Sequence, residues 1–310
     1  MERPYILHMF TPGRQMSPFD INMAADAGYQ MVVPYAEVGL DAIAGLTQDT
    51  IFSRGPKGVQ RTGIFIGGRD ALLAADMLAK SVAAMVQPFV VSVMADPSGA
   101  YTTAAAMVAC AEAALARQGR TLAGQRVVVL GGTGPVGRIA GVIAAQAGAR
   151  VALSSRNGID VADAAAQDTA RRFDVTLEGL SGGDRAAVRS SIADADVLLA
   201  CAAAGVQVLS ADDLGFAAQL VVAADVNAVP PEGIAGLGVM DNMLPLAGTP
   251  AGRQVLGIGA LAIGNIKYQT QHRLLQRMRG ASKPLRLGFA EAFAVAREVL
   301  AEQAAAAAPA

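Results

Sequence analysis

Short runs of β-branched and apolar residues alternate along this chain with longer runs in which apolar positions recur at helical spacing. This alternation is typical of βαβ units, in which helices connect parallel strands. The first helix is predicted to begin after Ser17 as the N-cap, with Pro18 as its first residue. The pattern before residue 118 predicts four strands and then a long helix, at Tyr5–Phe10, Gln30–Pro34, Thr62–Ile66, Phe89–Met94 and Thr102–Arg117.

The rest of the chain repeats this pattern and ends in two helices. A strand over Val127–Leu130 is followed by further strands and the two helices, at Arg150–Ser154, Val175–Leu177, Val197–Cys201, Leu220–Ala224, Leu261–Arg279 and Phe289–Ala307. A single core stops growing near ~250–300 residues, so 310 residues suit two domains. We therefore predict an α/β fold with two αβα domains, residues 1–115 and 116–255. The helices of 256–310 are predicted to return to the first domain.

The segment that follows the strand over Val127–Leu130 reads Gly132-Thr133-Gly134-Pro135-Val136-Gly137 and leads into a helix of small residues. In such a turn the first glycine permits the tight bend, the second lets the backbone approach a pyrophosphate, and the third allows close helix–strand packing. The amino end of the helix then presents unpaired N–H groups to the phosphates. The second domain is therefore predicted to be a Rossmann-type dinucleotide-binding domain.

The end of the next strand favours NADP over NAD. A site for NAD has Asp or Glu about twenty residues after the glycines, whereas this chain has Ser154, Ser155 and Arg156. A guanidinium binds a 2′-phosphate in bidentate fashion, so Arg156 is the predicted phosphate ligand; the alternative is a solvated arginine. Asp225 and Asn227 follow a later strand and are expected to face the nicotinamide, although an Asx-turn explains them equally.

Composition excludes several other functions. The net charge is −1 and the pI about 6.1, so no field that would recruit nucleic acid is expected. The longest apolar runs found, Ser81–Ala95 and Leu256–Ile266, are too short to span a membrane. Cys110 and Cys201 lack the paired spacing of a metal site or a disulfide, and a secretion signal is missing at the start. We expect a soluble cytoplasmic protein without bound metal.

Catalytic motifs of hydrolases are also missing. The sequence contains neither a GxSxG elbow nor a Cys/His pair, which leaves hydride transfer by a bound cofactor as the expected chemistry. Several segments resemble the NADP-dependent methylene-tetrahydromethanopterin dehydrogenases of methylotrophic bacteria, one branch of which also uses tetrahydrofolate. The matching segments keep the family's order over nearly the whole chain: SPFDINMAADAG (17–28), LTQDTIFSRGP (46–56), TGIFIGG (62–68), ADPSGAYTTAAAM (95–107), GGTGPVG (131–137), ADVNAVPPEGIAG (224–236) and GIGALAIGNIKYQTQ (257–271).

This resemblance implies that hydride passes from the one-carbon bridge of a pterin to the nicotinamide, which leaves a methenyl cation. It implies that Lys267 is the catalytic lysine of the pterin site and favours a pterin contact for Thr102. Asp20, in the segment SPFD at the expected strand-end face, is also expected to bind the pterin. We expect a homo-oligomer. Thr133 and Pro135 are similar to the branch restricted to NADP, whereas the chain as a whole is more similar to the branch that accepts NAD or NADP. Related folate enzymes that also hydrolyse the methenyl product have a Tyr-x-x-x-Lys pair, which this chain lacks.

Each of these assignments has a simpler alternative. Lys267 also suits a helix surface, Asp20 a first-turn acid, and Thr102 a helix cap. Three other functions stay open: a methylene-tetrahydrofolate dehydrogenase, a regulator that binds NADP without chemistry, and a shikimate-type dehydrogenase with the same domain order. The last usually depends on a Lys/Asp pair in its first domain, and neither Lys57 nor Lys80 lies in an apolar setting that suggests one.

Overall fold

Strands and helices alternate through the residues that the computed structural model describes, which are 3–250, 252 and 254–307. The first part of the chain contains β1 (Ile6–Phe10), α1 (Pro18–Asp26), β2 (Met31–Tyr35), α2 (Ile43–Phe52), α3 (Pro56–Val59), β3 (Thr62–Ile66), α4 (Ala71–Ala83), β4 (Ser92–Ala95) and α5 (Ala100–Arg117). The remainder contains β5 (Arg126–Leu130), α6 (Pro135–Gln146), β6 (Arg150–Ser155), α7 (Ile159–Phe173), β7 (Glu178–Ser181), α8 (Arg185–Ile192), β8 (Val197–Ala200), α9 (Ala211–Leu214), β9 (Val222–Asp225), β10 (Asn242–Pro245), β11 (Leu256–Ile258), α10 (Ala260–Gly280), β12 (Arg286–Leu287) and α11 (Phe289–Ala307). The predicted α/β fold is confirmed.

The chain divides into two compact units, and the boundaries differ from the predicted ones. The first unit comprises the described residues up to Thr102 together with Tyr268–Val295, and the second comprises Thr103–Lys267 together with the described residues from Ala296 onward. The first boundary therefore lies at the start of α5 and not at residue 115. Most of α5 belongs to the second unit because its side chains pack there: Met107 contacts Cys201, and Glu112 binds Arg297 with two bonds of 2.6 Å. The predicted terminal segment 256–310 is likewise shared between the two units.

The first unit is built on a parallel five-stranded sheet in the order β12-β4-β3-β1-β2. All five residues of β3 are buried, as expected for a central strand covered on both faces. The direction of winding reverses between β1 and β3, and open α/β sheets bind ligands at the carboxyl ends of the strands beside such a point. The loop after β1 leads into α1, so the fold places the first turn of α1 at that end.

The second unit contains a seven-stranded sheet in the order β10-β11-β9-β8-β5-β6-β7. Strands β5 to β9 and β11 are parallel, and only β10 runs antiparallel within this sheet, against β11. Apart from β10 this is the strand order of a dinucleotide-binding domain, with the reversal point between β5 and β8. Its carboxyl edge is therefore where a dinucleotide is expected.

One predicted strand is displaced. Residues 175–177 were expected to pair, but β7 begins at Glu178. The reason is the end of α7, where Asp174 adopts a left-handed conformation and the N–H of Val175 still donates to the carbonyl of Ala170 at 3.2 Å. Leu177 then packs towards α6 beside Gly141 and does not join the sheet. The apolar residues of this segment therefore belong to a helix end and its packing.

The sequence pattern missed three short strands, and it underestimated the apolar length of one predicted helix. Strands β10, β11 and β12 have only two to four residues each, too few for a period to show. The segment Pro97–Arg117 is long and apolar enough to span a membrane, contrary to the expectation that the longest apolar runs fall short. Because 78% of its most apolar window is buried inside the protein, it has the burial of a core helix.

Candidate functional site

The glycine-rich turn between β5 and α6 is packed so closely that side chains are excluded. A Cβ atom added to Gly132 would lie 2.8 Å from the Cα of Leu153, and one added to Gly137 would lie 2.7 Å from the Cα of Gly132. Gly131, which precedes the predicted fingerprint, has a positive φ of 72° and leaves 2.8 Å to the Cα of Ala202. Real Cβ atoms do not approach backbone this closely, so the turn requires glycine at all three positions.

The amino end of α6 is open towards the loops of the same edge. Gly134 is its N-cap residue and no side chain caps the helix; Pro135 follows at the first helical position. Arg138 fixes the turn, because its Nε donates to the carbonyl of Thr133 at 3.0 Å while one Nη donates to Thr169 on α7 at 3.1 Å. Amides at an uncapped helix start and the positive end of the helix dipole suit a bound diphosphate.

A cleft of about 590 Å³ lies at this edge of the second unit, within the ~300–1,000 Å³ typical of ligand sites. Five of the predicted cofactor residues line it, and Gly132 and Gly137 support the turn behind them. The lining comes from the glycine-rich turn, the end of β6 and the loops after β7 and β8: Leu130, Gly131, Thr133, Gly134, Ser154, Ser155, Arg156, Asn157, Gly182, Gly183, Asp184, Arg185, Val188, Cys201, Ala202, Ala203, Val206, Gln207 and Val208. Volume, backbone cradle and helix end together fit a dinucleotide.

The polar residues at the end of β6 differ in what they can offer a ligand. Ser154 and Ser155 are buried, and the hydroxyl of Ser155 already accepts the N–H of Asn157 at 3.1 Å. Arg156 is exposed beside them on the cleft. Of the three predicted ligands of a 2′-phosphate, the arginine is therefore the one whose donors project into solvent.

Replacing Arg156 by alanine is expected to raise the KM for NADP on the order of ten- to a hundred-fold and to change the KM for NAD little. The reason is the loss of one charge-assisted hydrogen bond worth roughly 1.5–3 kcal/mol, which NAD never makes. The ratio of kcat/KM for the two cofactors is the measurement, since damage to the fold would lower both values together. An unchanged ratio would show that Arg156 does not read the phosphate.

Asp225 and Asn227 hold the loop after β9 and do not line the cleft. The carboxylate of Asp225 accepts the N–H groups of Asn227 at 2.9 Å and Ile234 at 3.0 Å. The Oδ1 of Asn227 accepts the N–H groups of Gly205 and Val229, both at 3.0 Å. Burial raises the pKa of Asp225, and these backbone bonds oppose that shift. The Asx-type alternative therefore describes what both side chains do here, and their predicted contact with nicotinamide stays a prediction.

In the first unit, the predicted pterin residue Asp20 is 2% exposed and lies in the first turn of α1. Its Oδ1 accepts a hydrogen bond of 2.8 Å from Nε2 of Gln271, which is fully buried on α10. A buried carboxylate needs such partners, because an isolated charge would be expelled from an apolar interior. Gln271 is therefore part of this candidate site, although 251 residues separate it from Asp20.

Thr102 is tied to a second buried acid that the sequence analysis overlooked. Its hydroxyl donates to Asp96 at 2.6 Å, and the N–H groups of Tyr101 and Thr102 donate to the other carboxylate oxygen at 2.9 and 3.1 Å. Both Asp96 and Thr102 are fully buried. The cap of α5 is therefore Asp96, and Thr102 lies inside the helix and does not take the capping role considered for it. Its predicted contact with a pterin stays a prediction.

Lys267 lies half-buried on α10, one helical turn before Gln271. Among the described residues, no group of three or more His, Cys, Asp or Glu side chains is placed to hold a metal ion.

Two curated relatives from Methylorubrum extorquens decide the family. The chain is 48% identical to an NAD(P)-dependent methylenetetrahydromethanopterin dehydrogenase over 295 residues, which cover 95% of this chain and 98% of the relative. It is 31% identical to a protein called Bifunctional protein MdtA, over 90% of this chain and 93% of the relative. The chain belongs to the methylenetetrahydromethanopterin dehydrogenase family. The family model for the N-terminal part of methylene-tetrahydromethanopterin dehydrogenase also matches residues 18–98.

Solved structures support the fold of this methylenetetrahydromethanopterin dehydrogenase family member. Shikimate 5-dehydrogenase from Listeria monocytogenes, in complex with shikimate and NAD, aligns with a TM-score of 0.51 and 16% identity over 96% of each chain. Quinate dehydrogenase from Corynebacterium glutamicum, in complex with NAD, aligns with a TM-score of 0.51 and 13% identity over 94% of this chain and 98% of that chain. At such identities the likeness concerns the fold alone.

Proposed function

We propose that the protein oxidises the methylene bridge of methylene-tetrahydromethanopterin, with NADP or NAD as hydride acceptor, in one-carbon metabolism. The observation that carries this proposal is the 48% identity over nearly the full length of an NAD(P)-dependent methylenetetrahydromethanopterin dehydrogenase. The nucleotide cleft, with its glycine-rich turn and uncapped helix, supports the choice of cofactor. The NAD(P) nicotinamide supplies the acceptor carbon when bound, and the protein's own residues bind and orient both partners.

The proposed reaction needs little acid–base assistance. When the bridge between N5 and N10 of the pterin loses hydride, the positive charge of the methenyl product spreads over two nitrogens, so no proton has to be abstracted. The work of the protein is then to hold the bridge against the nicotinamide, and such positioning can supply ~7–11 kcal/mol of the barrier. This agrees with a chain in which neither sequence motifs nor the described geometry provide a catalytic acid–base pair.

Lys267 is proposed to position the pterin and not to stabilise the developing charge. A cation at contact distance from the forming methenyl cation would be unfavourable by ~1 to 4 kcal/mol in watery to partly buried surroundings. The ammonium group therefore suits the pterin carbonyl, or a carboxylate that neutralises it. Asp20, whose carboxylate Gln271 holds in place, is proposed to accept the ring N–H groups, and Thr102 to contribute to the same pocket.

Steady-state rates with methylene-tetrahydromethanopterin and methylene-tetrahydrofolate test the proposal and its alternatives. Both pterins carry the same reacting ring, so either one could donate the hydride. The preferred substrate is the pterin with the higher kcat/KM for NADPH formation. A higher value with the folate would replace the proposed substrate by the alternative one. A protein that binds NADP but reduces it with neither pterin would instead be a nucleotide-binding regulator.

The methenyl product is expected to leave the enzyme without being hydrolysed, because the chain contains no Tyr-x-x-x-Lys pair. The absorbance of added methenyl-tetrahydromethanopterin should decay at the same rate with and without enzyme. A control with a cyclohydrolase shows that the assay detects hydrolysis. Decay that increases in proportion to the concentration of this protein would contradict the expectation.

We further propose a cytoplasmic homo-oligomer that requires neither nucleic acid nor membrane. The balanced charge supports the absence of a nucleic-acid partner, and two cysteines without the spacing of a disulfide suit a reducing compartment. Burial raises the pKa of Cys110 to about 12 and raises that of Cys201 as well, which disfavours the reactive thiolate at both. Light scattering of the purified protein measures the mass of the assembly, and a monomeric mass would contradict the proposed oligomer.

A further inference from the structure

Helix α8 begins with a cation at the end where the helix dipole disfavours positive charge. Asp184 is the N-cap, with its carboxylate accepting the N–H of Ala187 at 2.8 Å, and Arg185 is the first helical residue. Arg185 lines the nucleotide cleft and its side chain is 63% exposed. A cation there destabilises the helix, because it repels the positive end of the helix dipole. Local rules of this kind are broken most often where a chain binds a ligand.

The buried carboxylate of Asp213 neutralises the charge of Arg185 and fixes the position of its side chain. Asp213 is fully buried and binds Nη1 of Arg185, Nε of Arg189 at 2.9 Å, and the hydroxyl of Ser210 at 2.7 Å. Burial by itself would raise the pKa of Asp213, but the hydrogen bonds from Ser210 and Arg189 and the charge of Arg185 lower it to about 2. Asp213 is therefore ionised at neutral pH and holds Arg185 by one nitrogen.

The guanidinium of Arg185 keeps further donors for a ligand. Among the described residues its hydrogen bonds, to Asp213 and to Ser210 at 3.1 Å, all use Nη1, which leaves Nε and Nη2. Arg189 shares the same carboxylate but is not part of the cleft lining and instead stacks on the ring of Phe216, 4.4 Å from its centroid. Both arginines are thus held by Asp213, but only Arg185 of the two lines the cleft.

The loop that precedes Arg185 runs against the end of β6, where Arg156 lies. The N–H of Gly182 donates to the carbonyl of Ser155 at 2.8 Å, and a Cβ atom on Gly183 would lie 3.5 Å from the carbonyl oxygen of Arg156. Both arginines line the same cleft. Arg156, after β6, and Arg185, at the start of α8, therefore come from neighbouring segments of the cleft wall.

We propose that Arg185 is a second specificity-determining residue, which binds the 2′-phosphate of NADP together with Arg156 while Asp213 holds it in position. This inference rests on the proposed use of NAD(P) and extends it to how the two dinucleotides are distinguished. A phosphate offers several acceptor oxygens and suits two forked donors, whereas the 2′-hydroxyl of NAD gives neither guanidinium a charged partner.

Binding of two fragments, measured by calorimetry, tests the proposal without any pterin. The fragment 2′,5′-ADP carries the 2′-phosphate and 5′-AMP does not. For Arg185→Gln we expect affinity for 2′,5′-ADP to fall about ten- to a hundred-fold and affinity for 5′-AMP to change less than about threefold. Arg189→Gln, which removes a guanidinium from the same carboxylate outside the cleft, should change both by less than about threefold. Arg185→Lys should retain part of the preference, because it keeps the charge but loses the fork.

Three results would overturn the proposal. The wild-type protein could fail to prefer 2′,5′-ADP, Arg185→Gln could leave both affinities unchanged, or it could weaken both fragments equally, as expected if Arg185 only stacked on adenine. Thermal unfolding of the variants checks that each one is folded. The measured quantity is nucleotide binding, so the test of Arg185 does not depend on the pterin. If the protein failed to oxidise a pterin, the proposed function would be refuted, but the role of Arg185 in binding the 2′-phosphate would not.

Discussion

Replacement of Gly137 by alanine is expected to weaken binding of both NADP and NAD on the order of a hundred-fold. The added Cβ would lie 2.7 Å from the Cα of Gly132 and 2.8 Å from the carbonyl oxygen of Gly131. Both atoms belong to the backbone, so no side-chain rotation relieves the contact and the turn itself must move. Movement of the turn misplaces the amides at the start of α6, on which both cofactors depend equally. Calorimetric titration with each dinucleotide measures the effect.

Gly134→Ala is the matched control for this variant. A Cβ there would have no heavy atom nearer than 3.6 Å, and the residue has an ordinary φ of −75°, so the protein should unfold at the wild-type temperature. Gly137→Ala should unfold at a lower temperature. If Gly134→Ala nevertheless binds the cofactor more weakly, the cause is that the added methyl group keeps the phosphates away from the turn, and not that the fold is damaged. Wild-type affinity in Gly137→Ala would show that the turn does not form the cofactor cradle.

Lys267→Ala is expected to lower kcat/KM for the pterin on the order of a hundred-fold while the Kd for NADP stays unchanged. A misplacement of about 1 Å between reacting groups is enough for a loss of this size, and we propose that Lys267 sets the position of the pterin. Lys283→Ala removes an exposed lysine further along the chain and controls for the change in net charge. Unchanged pterin kinetics in Lys267→Ala would assign the lysine to the helix surface.

The division of this loss between kcat and KM carries further information. A rise in KM at constant kcat would mean that Lys267 contributes equally to binding the substrate and the transition state. An equal fall in kcat and kcat/KM would mean that its contact matters only when the bridge faces the nicotinamide. The positioning role proposed here predicts that kcat falls.

The sequence predicted those features that depend on local spacing. The run of valines before Gly132 and the small residues after Gly137 identify a strand, a turn and a helix, because each pattern repeats within a few residues. The same holds for β1, β3 and α11, whose observed bounds lie within one residue of the predicted ones. Strand β11 has three residues and pairs with β9, more than thirty positions earlier, so its place in the sheet depends on tertiary structure.

Partners that are distant in the chain were beyond the reach of pattern analysis. The hydrogen bond between Asp20 and Gln271 depends on how α1 and α10 pack in the first unit, and the local sequence around neither residue predicts it. Asp213 and Arg185 are 28 residues apart, and each one alone reads as a surface charge. The bonds from Asn227 N–H to Asp225 and from Val229 N–H to Asn227 are local, and the sequence offered this Asx-type arrangement as one of two explanations.

The most direct measurement of the central claim is the fate of the transferred hydrogen. With methylene-tetrahydromethanopterin in which both hydrogens of the one-carbon bridge are deuterium, and with NADP as acceptor, the account predicts deuterium at C4 of the reduced nicotinamide. The second deuterium stays on the methenyl carbon. One labelled NADPH should form for each methenyl-tetrahydromethanopterin produced. Formation of unlabelled NADPH, or no reduction of NADP with this substrate, would contradict direct hydride transfer from the bridge.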